Sequence, residues 1–489
     1  MNLLFVTSEV HPLVKTGGLA DVSRSLPMAL HALGENVCLL VPGYREVLAH
    51  SDASTVILTE FPYGLLPAPA RLLETTLPGS GLPVWVLDCP ELFDRAGGPY
   101  QDNNGKDWSD NALRFASFCK AAAWLVQGHA TPWAIDLVHC NDWQTALVPA
   151  LLKFWDCPTP SVLTIHNLAF QGNFDAAMVE VLDLPGKEFH PGSLEFYGQL
   201  SFLKAGIVHA DGITTVSPRY AREIQTPQMG CGFDGLLRHR ASVLSGILNG
   251  IDELWNPATD VMLPHCYSIV RKSGKAMNKA HLQHKLGLPE NPDVFLVGMV
   301  SRLTWQKGID LVLDALDDLL DDASVQFVVL GSGDAEMERR LVHWNSRLPD
   351  RVRITLGFHE ALSHEIIAGS DLFLMPSRFE PCGLAQMYAM TYGTPPLVHH
   401  TGGLADTVSP YLPGKSSRTQ SGTGFVFEHA HTYDFSECFR MALACFRDPP
   451  AWKKVVHNAM KKDFRWNIAA QEYVALYNRL LPQWPELPE

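Results

Sequence analysis

Short apolar runs alternate along this chain with longer stretches in which apolar residues return every three or four positions. A switch between period two and period 3.6, repeated many times, predicts a parallel α/β fold. In the first half the runs predict strands at Leu3–Thr7, Val37–Val41, Val84–Leu87, Leu137–His139, Val162–Ile165 and Ile213–Val216. In the second half they predict strands at Phe295–Val300, Gln326–Leu330, Val352–Leu356, Leu372–Met375, Pro396–Val398 and Phe425–Phe427. Two doubly wound sheets follow, and such sheets bind ligands beyond the carboxyl ends of their strands. Within Leu248–Pro264 the pair Asn249-Gly250 marks a turn and Asn256-Pro257 breaks any helix, so the hinge is placed there. The expected division is residues 1–248, residues 249–462 and a tail, 463–489. The amphipathic part of the tail, Trp466–Leu481, either caps the second domain or crosses back onto the first.

Length and composition narrow the picture. A chain of 489 residues exceeds what one ordinary core holds, and 46% hydrophobic with 18% charged residues describes a folded globular protein. No apolar stretch approaches the ~18 residues of a membrane span. Met1–Val6 lacks a basic flank and is soon followed by Glu9, which reads as a buried first strand rather than a signal peptide. A formal charge of −14 without a basic stripe argues against nucleic acid as partner. The ten cysteines are scattered, with neither CxxC pairs nor metal-ligand spacing, so reduced thiols in a cytoplasmic protein are expected. His399 and His400 are adjacent and cannot readily share one metal ion.

Chemistry concentrates where predicted strands end. The hexapeptide Thr-Gly-Gly-Leu-Ala-Asp occurs at Thr16–Asp21 and again at Thr401–Asp406, each time after a strand-like run. Glycines allow a tight turn, and the first amides of the following helix are expected to point outward, unpaired and partly positive, as an anion cradle. Lys15, directly before the first copy, adds a point charge; its plain alternative is a solvated surface lysine. In Ser301–Gly308, Arg302 and Lys307 suit a diphosphate leaving group, or else neutralise nearby acids. In Ser377–Leu384 a strand end leads into Glu380, Pro381, Cys382, Gly383 and Leu384, with amides that suit sugar hydroxyls; the plain alternative for Glu380 is a helix cap. Cys382 has no histidine beside it in the sequence and reads as a small buried thiol. His166 and Asp142 also stand at strand ends, His166 as a hydrogen-bond donor to substrate or as a satisfied structural histidine.

Taken in order, Lys15–Val22, Asn249-Gly250-Ile251-Asp252, Ser301–Gly308, Glu380–Leu384 and Thr401–Asp406 resemble the bacterial glycogen synthase and plant starch synthase family, from Ser8-Glu9 to Asp463–Trp466. The resemblance implies a GT-B fold, two Rossmann-like domains facing a deep cleft. It also implies transfer of glucose from ADP-glucose to the non-reducing end of an α-1,4-glucan with retained configuration. No metal or pyridoxal phosphate is expected, nor any nucleic-acid or membrane partner. By the same resemblance Lys15, Gly17, Gly18, Asn249, Phe358, Cys382, Gly383, Leu384, Thr401, Gly402 and Gly403 bind the donor, with Phe358 stacking on adenine. Arg302, Lys307, Glu380 and His166 are the catalytic set; Glu9, Tyr100 and Asp142 border the acceptor; and the tail helix crosses back to the first domain. Three positions depart from the family pattern. Asn141 and Gln144 replace histidines in a His-x-His-Asp-Trp-His segment, and Ala385 replaces a common threonine. Tyr388 stands where a sister group of retaining transferases has a second glutamate. Other readings are a related transferase using UDP-glucose or a small acceptor, a glucan phosphorylase, and a silent glucan-binding protein. No pyridoxal lysine is identifiable for the phosphorylase, and intact Lys15, Arg302, Lys307 and Glu380 weigh against silence.

Overall fold

The computed structural model describes residues 1–50, 56–129, 131–415 and 419–481; the part of the expected tail beyond 481 lies outside them. Its strands in chain order are β1 (Asn2–Val6), β2 (Asn36–Pro42), β3 (Val56–Glu60), β4 (Arg71–Thr76), β5 (Pro83–Asp88), β6 (Leu137–Asn141), β7 (Ser161–Ile165), β8 (Asn173–Phe174), β9 (Glu195–Phe196), β10 (Gln199–Ser201), β11 (Gly212–Thr215), β12 (Leu244–Gly246), β13 (Phe295–Val300), β14 (Val325–Gly331), β15 (Val352–Leu356), β16 (Leu372–Met375), β17 (Pro396–His399) and β18 (Phe425–Phe427). The chain forms two compact units, Met1–Gly250 together with the chain from Trp466 onward, and Ile251–Arg465.

The first unit is built on a nine-stranded sheet in the order β12-β11-β7-β6-β1-β2-β5-β4-β3. It is parallel from β12 to β5, while β4 runs antiparallel to both β5 and β3. The central strands are continuous apolar runs because helices cover both faces: Leu3 to Val6 and Leu39 to Val41 are fully buried. Strand order reverses between β1 and β6, which is the ligand-binding point of such sheets. Helix Gly18–Ala32 leaves β1 there and buries Leu19, Val22, Leu26 and Leu30.

Helix Trp466–Leu480 belongs to this unit, with Trp466, Ala469, Ala470, Tyr473, Leu476 and Tyr477 in one core with Leu3, Phe5, Leu26, Leu137 and Val162. A buried polar chain fixes its register: His139 Nδ1 lies 2.7 Å from the Tyr477 hydroxyl, and His139 Nε2 lies 2.6 Å from Thr164 Oγ1. The periodicity did not expose β3, β4 and β12, nor the small β8-β10-β9 sheet. β4 reads Arg-Leu-Leu-Glu-Thr-Thr, and its partner β3 is interrupted by an irregularity between Ile57 and Thr59. The small sheet uses strands of two or three residues, too short to show a period.

The second unit carries a six-stranded parallel sheet, β15-β14-β13-β16-β17-β18. Its order reverses between β13 and β16, the strands that precede Ser301–Gly308 and Ser377–Leu384. Phe295, Val297, Val325, Phe327, Leu372 and Leu374 supply its core. The ends of this unit are joined, Ile251 N–H donating to the Phe464 carbonyl at 2.8 Å. No helix among the described residues is long and apolar enough to cross a membrane.

Candidate active site

In the first unit the loop after β1 folds back on its own carboxylate. Glu9 is buried, and its Oε2 accepts the Thr16 N–H at 2.6 Å and the Gly17 N–H at 3.2 Å. Oε1 accepts from Thr16 Oγ1 at 2.6 Å and from the Tyr100 hydroxyl at 2.5 Å. Tyr100 also meets Ser8 Oγ at 2.8 Å, and burial together with Glu9 pushes its phenol well above the ordinary range. Glu9 and Tyr100 are therefore brought together, and Glu9 orders the first glycine loop. The expected free amide at Gly17 is already engaged. Gly17 and Gly18 are otherwise open, since an added Cβ at either would meet nothing within 4 Å. Lys15 is exposed and pairs with Asp21 at 2.7 Å. Asn249 is buried after β12, and its Oδ1 has no hydrogen-bond partner among the described residues.

The ends of β6 and β7 bring Asn141, Asp142 and His166 together. Asp142 Oδ1 accepts the His166 N–H at 2.7 Å, and burial raises the Asp142 carboxyl to about 7. Its backbone lies at φ 57°, ψ −175°, a region that strains any residue with a side chain. Strain of that kind persists only where the surroundings over-determine it, here through the ladder bond from Asp142 N–H to Thr164 O at 2.9 Å. The His166 ring nitrogen Nε2 is 3.0 Å from Asn141 Oδ1, so one ring nitrogen is held inside the protein. Burial lowers the ring to about 3, which keeps it neutral at pH 7. Gln144, the second departure from the family segment, is buried with Oε1 unpartnered among the described residues.

In the second unit the loops after β13 and β16 are locked together. Gly308 adopts φ +69°, and an added Cβ there would sit 2.1 Å from the Pro376 carbonyl oxygen. Lys307 Nζ donates to Glu380 Oε2 at 2.6 Å, and Ser377 Oγ donates to the same oxygen at 2.9 Å. Glu380 is 7% exposed, so this pair is sheltered from solvent screening. Arg378 grips Asp310 with both Nη atoms at 2.7 and 2.6 Å and donates to the Trp305 carbonyl at 2.8 Å. Sequence reasoning missed this clamp; the signal was an acid three residues after Lys307 and a base two before Glu380. Arg302 is exposed, and its guanidinium makes no hydrogen bond or ion pair among the described residues.

The second glycine pair is packed where the first is open. Gly403 N–H donates to the carbonyls of Glu380 and Pro381 at 3.1 and 3.2 Å. An added Cβ would lie 1.9 Å from Glu380 O at Gly402 and 2.0 Å from Cys382 O at Gly403. This copy is thus a backing surface for the Glu380–Leu384 loop, and the expectation of outward, unpaired amides does not hold at Gly403. Thr401 and Cys382 are buried beside it, while Gly383 turns the loop at φ +69° and Leu384 is half-buried. Phe358, two residues after β15, is 84% exposed. Tyr388 stacks on Trp255 with centroids 3.8 Å apart, and Trp255 stacks on His364 at the same distance. A ring in that stack, rather than a carboxylate, occupies the position eight residues after Glu380. Among the described residues no group of three His, Cys, Asp or Glu side chains is arranged to hold a metal ion. A sheltered lysine–carboxylate pair, with an uncommitted guanidinium in the same loop after β13, can stabilise an anionic leaving group and hold hydroxyls.

Residues 2–239 match the family described as starch synthase catalytic domain, and residues 279–445 match glycosyl transferases group 1. The chain is 49% identical to glycogen synthase 1 of Methylococcus capsulatus, covering 98% of this chain and 97% of that one. It is 47% identical to glycogen synthase of Thioalkalivibrio sulfidiphilus, covering 98% and 100%. The catalytic domain of starch synthase IV from Arabidopsis thaliana, solved with ADP and acarbose, superposes with a TM-score of 0.86 at 32% identity, covering 98% of this chain and 99% of that one. Sucrose-phosphate synthase from Thermosynechococcus elongatus shares the fold at a TM-score of 0.61 and 17% identity, over 98% of each chain. With a strand-end lysine, arginine and glutamate in place and near-complete coverage by its relatives, the chain belongs to the glycogen synthase and starch synthase family of GT-B glycosyltransferases.

Proposed function

We propose that the protein transfers glucose from ADP-glucose to the non-reducing end of an α-1,4-glucan, glycogen or a maltooligosaccharide, with retention of configuration. The observation that carries this reading is the Lys307–Glu380 pair with Arg302 at the carboxyl ends of β13 and β16. The ADP and acarbose bound to the similar starch synthase IV domain support a nucleotide and a glucan as the ligand classes. In this reading Phe358 stacks on adenine, and Glu380 with the Cys382, Gly383 and Leu384 amides holds the glucose, backed by Thr401, Gly402 and Gly403. Lys15, Gly17, Gly18 and Asn249 are the donor contacts of the first unit; Tyr100 and Asp142 serve the acceptor, with Glu9 beneath the loop.

The bond between glucose C1 and the diphosphate oxygen breaks as the acceptor hydroxyl attacks from the same face. The departing phosphate takes the hydroxyl proton, and Arg302 and Lys307 spread the charge it gains. Glu380 suits hydroxyl binding better than nucleophilic attack, because Lys307 and Ser377 already occupy its Oε2. The chemistry asks for neither a metal nor pyridoxal phosphate. Ten free cysteines accord with a cytoplasmic setting.

Labelled glucose offered as ADP-glucose or UDP-glucose, each with glycogen or maltose, tests the reading. The expected result is incorporation from ADP-glucose into α-1,4 linkages of glycogen. Incorporation from UDP-glucose alone would overturn the donor assignment, and β-linked product would overturn the mechanism.

A further inference from the structure

Both the backbone and the ring of His166 are held by consecutive residues at the end of β6. Asp142 takes the backbone N–H, and Asn141 Oδ1 faces ring nitrogen Nε2 at 3.0 Å. The orientation of the Asn141 amide is dictated by its other end. Asn141 Nδ2 is 3.0 Å from the Val6 carbonyl, which can only accept, so the NH2 group must point there and Oδ1 toward the ring. An amide oxygen cannot donate, so Nε2 carries the proton. In a neutral imidazole the other nitrogen, Nδ1, is then a bare acceptor.

The charged and titratable groups around the ring do not reverse this. Asp142 spends Oδ1 on the backbone amides of His166 and Asn167. His139 is buried, kept neutral, and satisfied by Tyr477 and Thr164. Glu9 acts on Asp142 and is itself bound by Thr16, Gly17 and Tyr100. The Tyr220 hydroxyl is occupied by the Leu168 N–H at 3.2 Å.

We propose that Asn141 is a positioning residue that locks His166 in the Nε2–H tautomer, so that His166 meets the transferred sugar as a hydrogen-bond acceptor through Nδ1, taking a sugar O–H rather than giving one. The inference rests on the reading that His166 stands beside the transferred glucose. A histidine at 141 could switch between donor and acceptor by changing tautomer; an asparagine anchored to Val6 has one polarity only. The departure from the family segment thus converts an adjustable contact into a fixed one.

The full-length protein labelled with 15N-histidine tests this directly, the His166 signals being assigned by their loss in His166→Asn. At pH 7 the Nδ1 resonance is expected in the range of an unprotonated ring nitrogen and Nε2 in that of a protonated one. Asn141→Ala, which removes the acceptor, should give exchange between both tautomers. Asn141→Asp, whose carboxylate accepts from Nε2–H as the amide oxygen does, should keep that tautomer and raise the ring's titration, whereas Asn141→Ala should lower turnover about tenfold, the scale of one lost hydrogen bond, with donor KM within about twofold. A wild-type spectrum showing Nδ1–H, or an Asn141→Ala spectrum identical to wild type, would overturn the tautomer lock. If the variants move the spectrum as expected and leave turnover unchanged, the lock stands, and the contact between Nδ1 and the sugar is overturned instead.

Discussion

A methyl group added at Gly17 would meet nothing within 4 Å, whereas at Gly403 it would lie 2.0 Å from the Cys382 carbonyl oxygen. The same hexapeptide therefore uses glycine for two reasons, an open approach in one copy and close backbone packing in the other. Gly17→Ala is expected to change stability by under about 0.5 kcal/mol while raising the KM for donor; Gly403→Ala is expected to cost about 3 kcal/mol in a denaturant titration. A Gly17→Ala protein with wild-type donor KM would remove that loop from the donor site. Asp142 makes a second test. Burial raises its native carboxyl to about 7 from 3.8, so the folded chain holds a proton that the unfolded chain releases. Its contribution to stability is full below about pH 4 and is lost as pH rises through about 7. Asp142→Asn should accordingly narrow the drop in Tm between pH 5 and pH 8; an unchanged drop would mean the carboxyl is ionised throughout. Lys307, Glu380 and Arg302 were legible in the sequence because each sits within a short segment at a strand end. The Glu9 clamp was not, because nothing local says that a loop will return its amides to a carboxylate seven or eight residues earlier.

At the scale of elements, the tail helix shows what pattern can and cannot say. Its apolar stripe predicts packing but names no partner; the family resemblance points to the first domain, and Tyr473, Leu476 and Tyr477 lie in the core of the first unit. Tyr477→Phe leaves the fully buried His139 Nδ1 unpaired and should cost about 1–3 kcal/mol of stability, read by chemical denaturation. No measurable loss would mean that another group satisfies His139. The twelve predicted strands all lie in the two sheets; most are buried on both faces, while the edge strand β15 is buried only at Val352 and shows in the sequence as a short apolar run. The antiparallel β3 and β4 escaped because β4 reads Arg-Leu-Leu-Glu-Thr-Thr without alternation and β3 is interrupted between Ile57 and Thr59, and β8 to β10 because two or three residues carry no period.

Across the whole molecule, the parallel part of the first sheet, β12 to β5, and the parallel second sheet each reverse strand order once, and the noteworthy side chains stand at those two reversals. Glu9 follows β1, Asn141 ends β6 and Asp142 follows it; Arg302, Lys307 and Glu380 follow β13 and β16. Sheet topology fixes where chemistry can sit, and the residue types at the strand ends fix which chemistry it is. The central claim is that Lys307, paired with Glu380 in the resting protein, serves the departing diphosphate of ADP-glucose. Its most direct test is glucose transfer from ADP-glucose to glycogen by the wild-type protein and by Lys307→Ala, side by side. Transfer by the wild type is expected, with a fall in kcat of about 10²–10³ in the variant and donor KM changed only severalfold. A variant that turns over like the wild type, or a wild type that leaves ADP-glucose untouched, would contradict it.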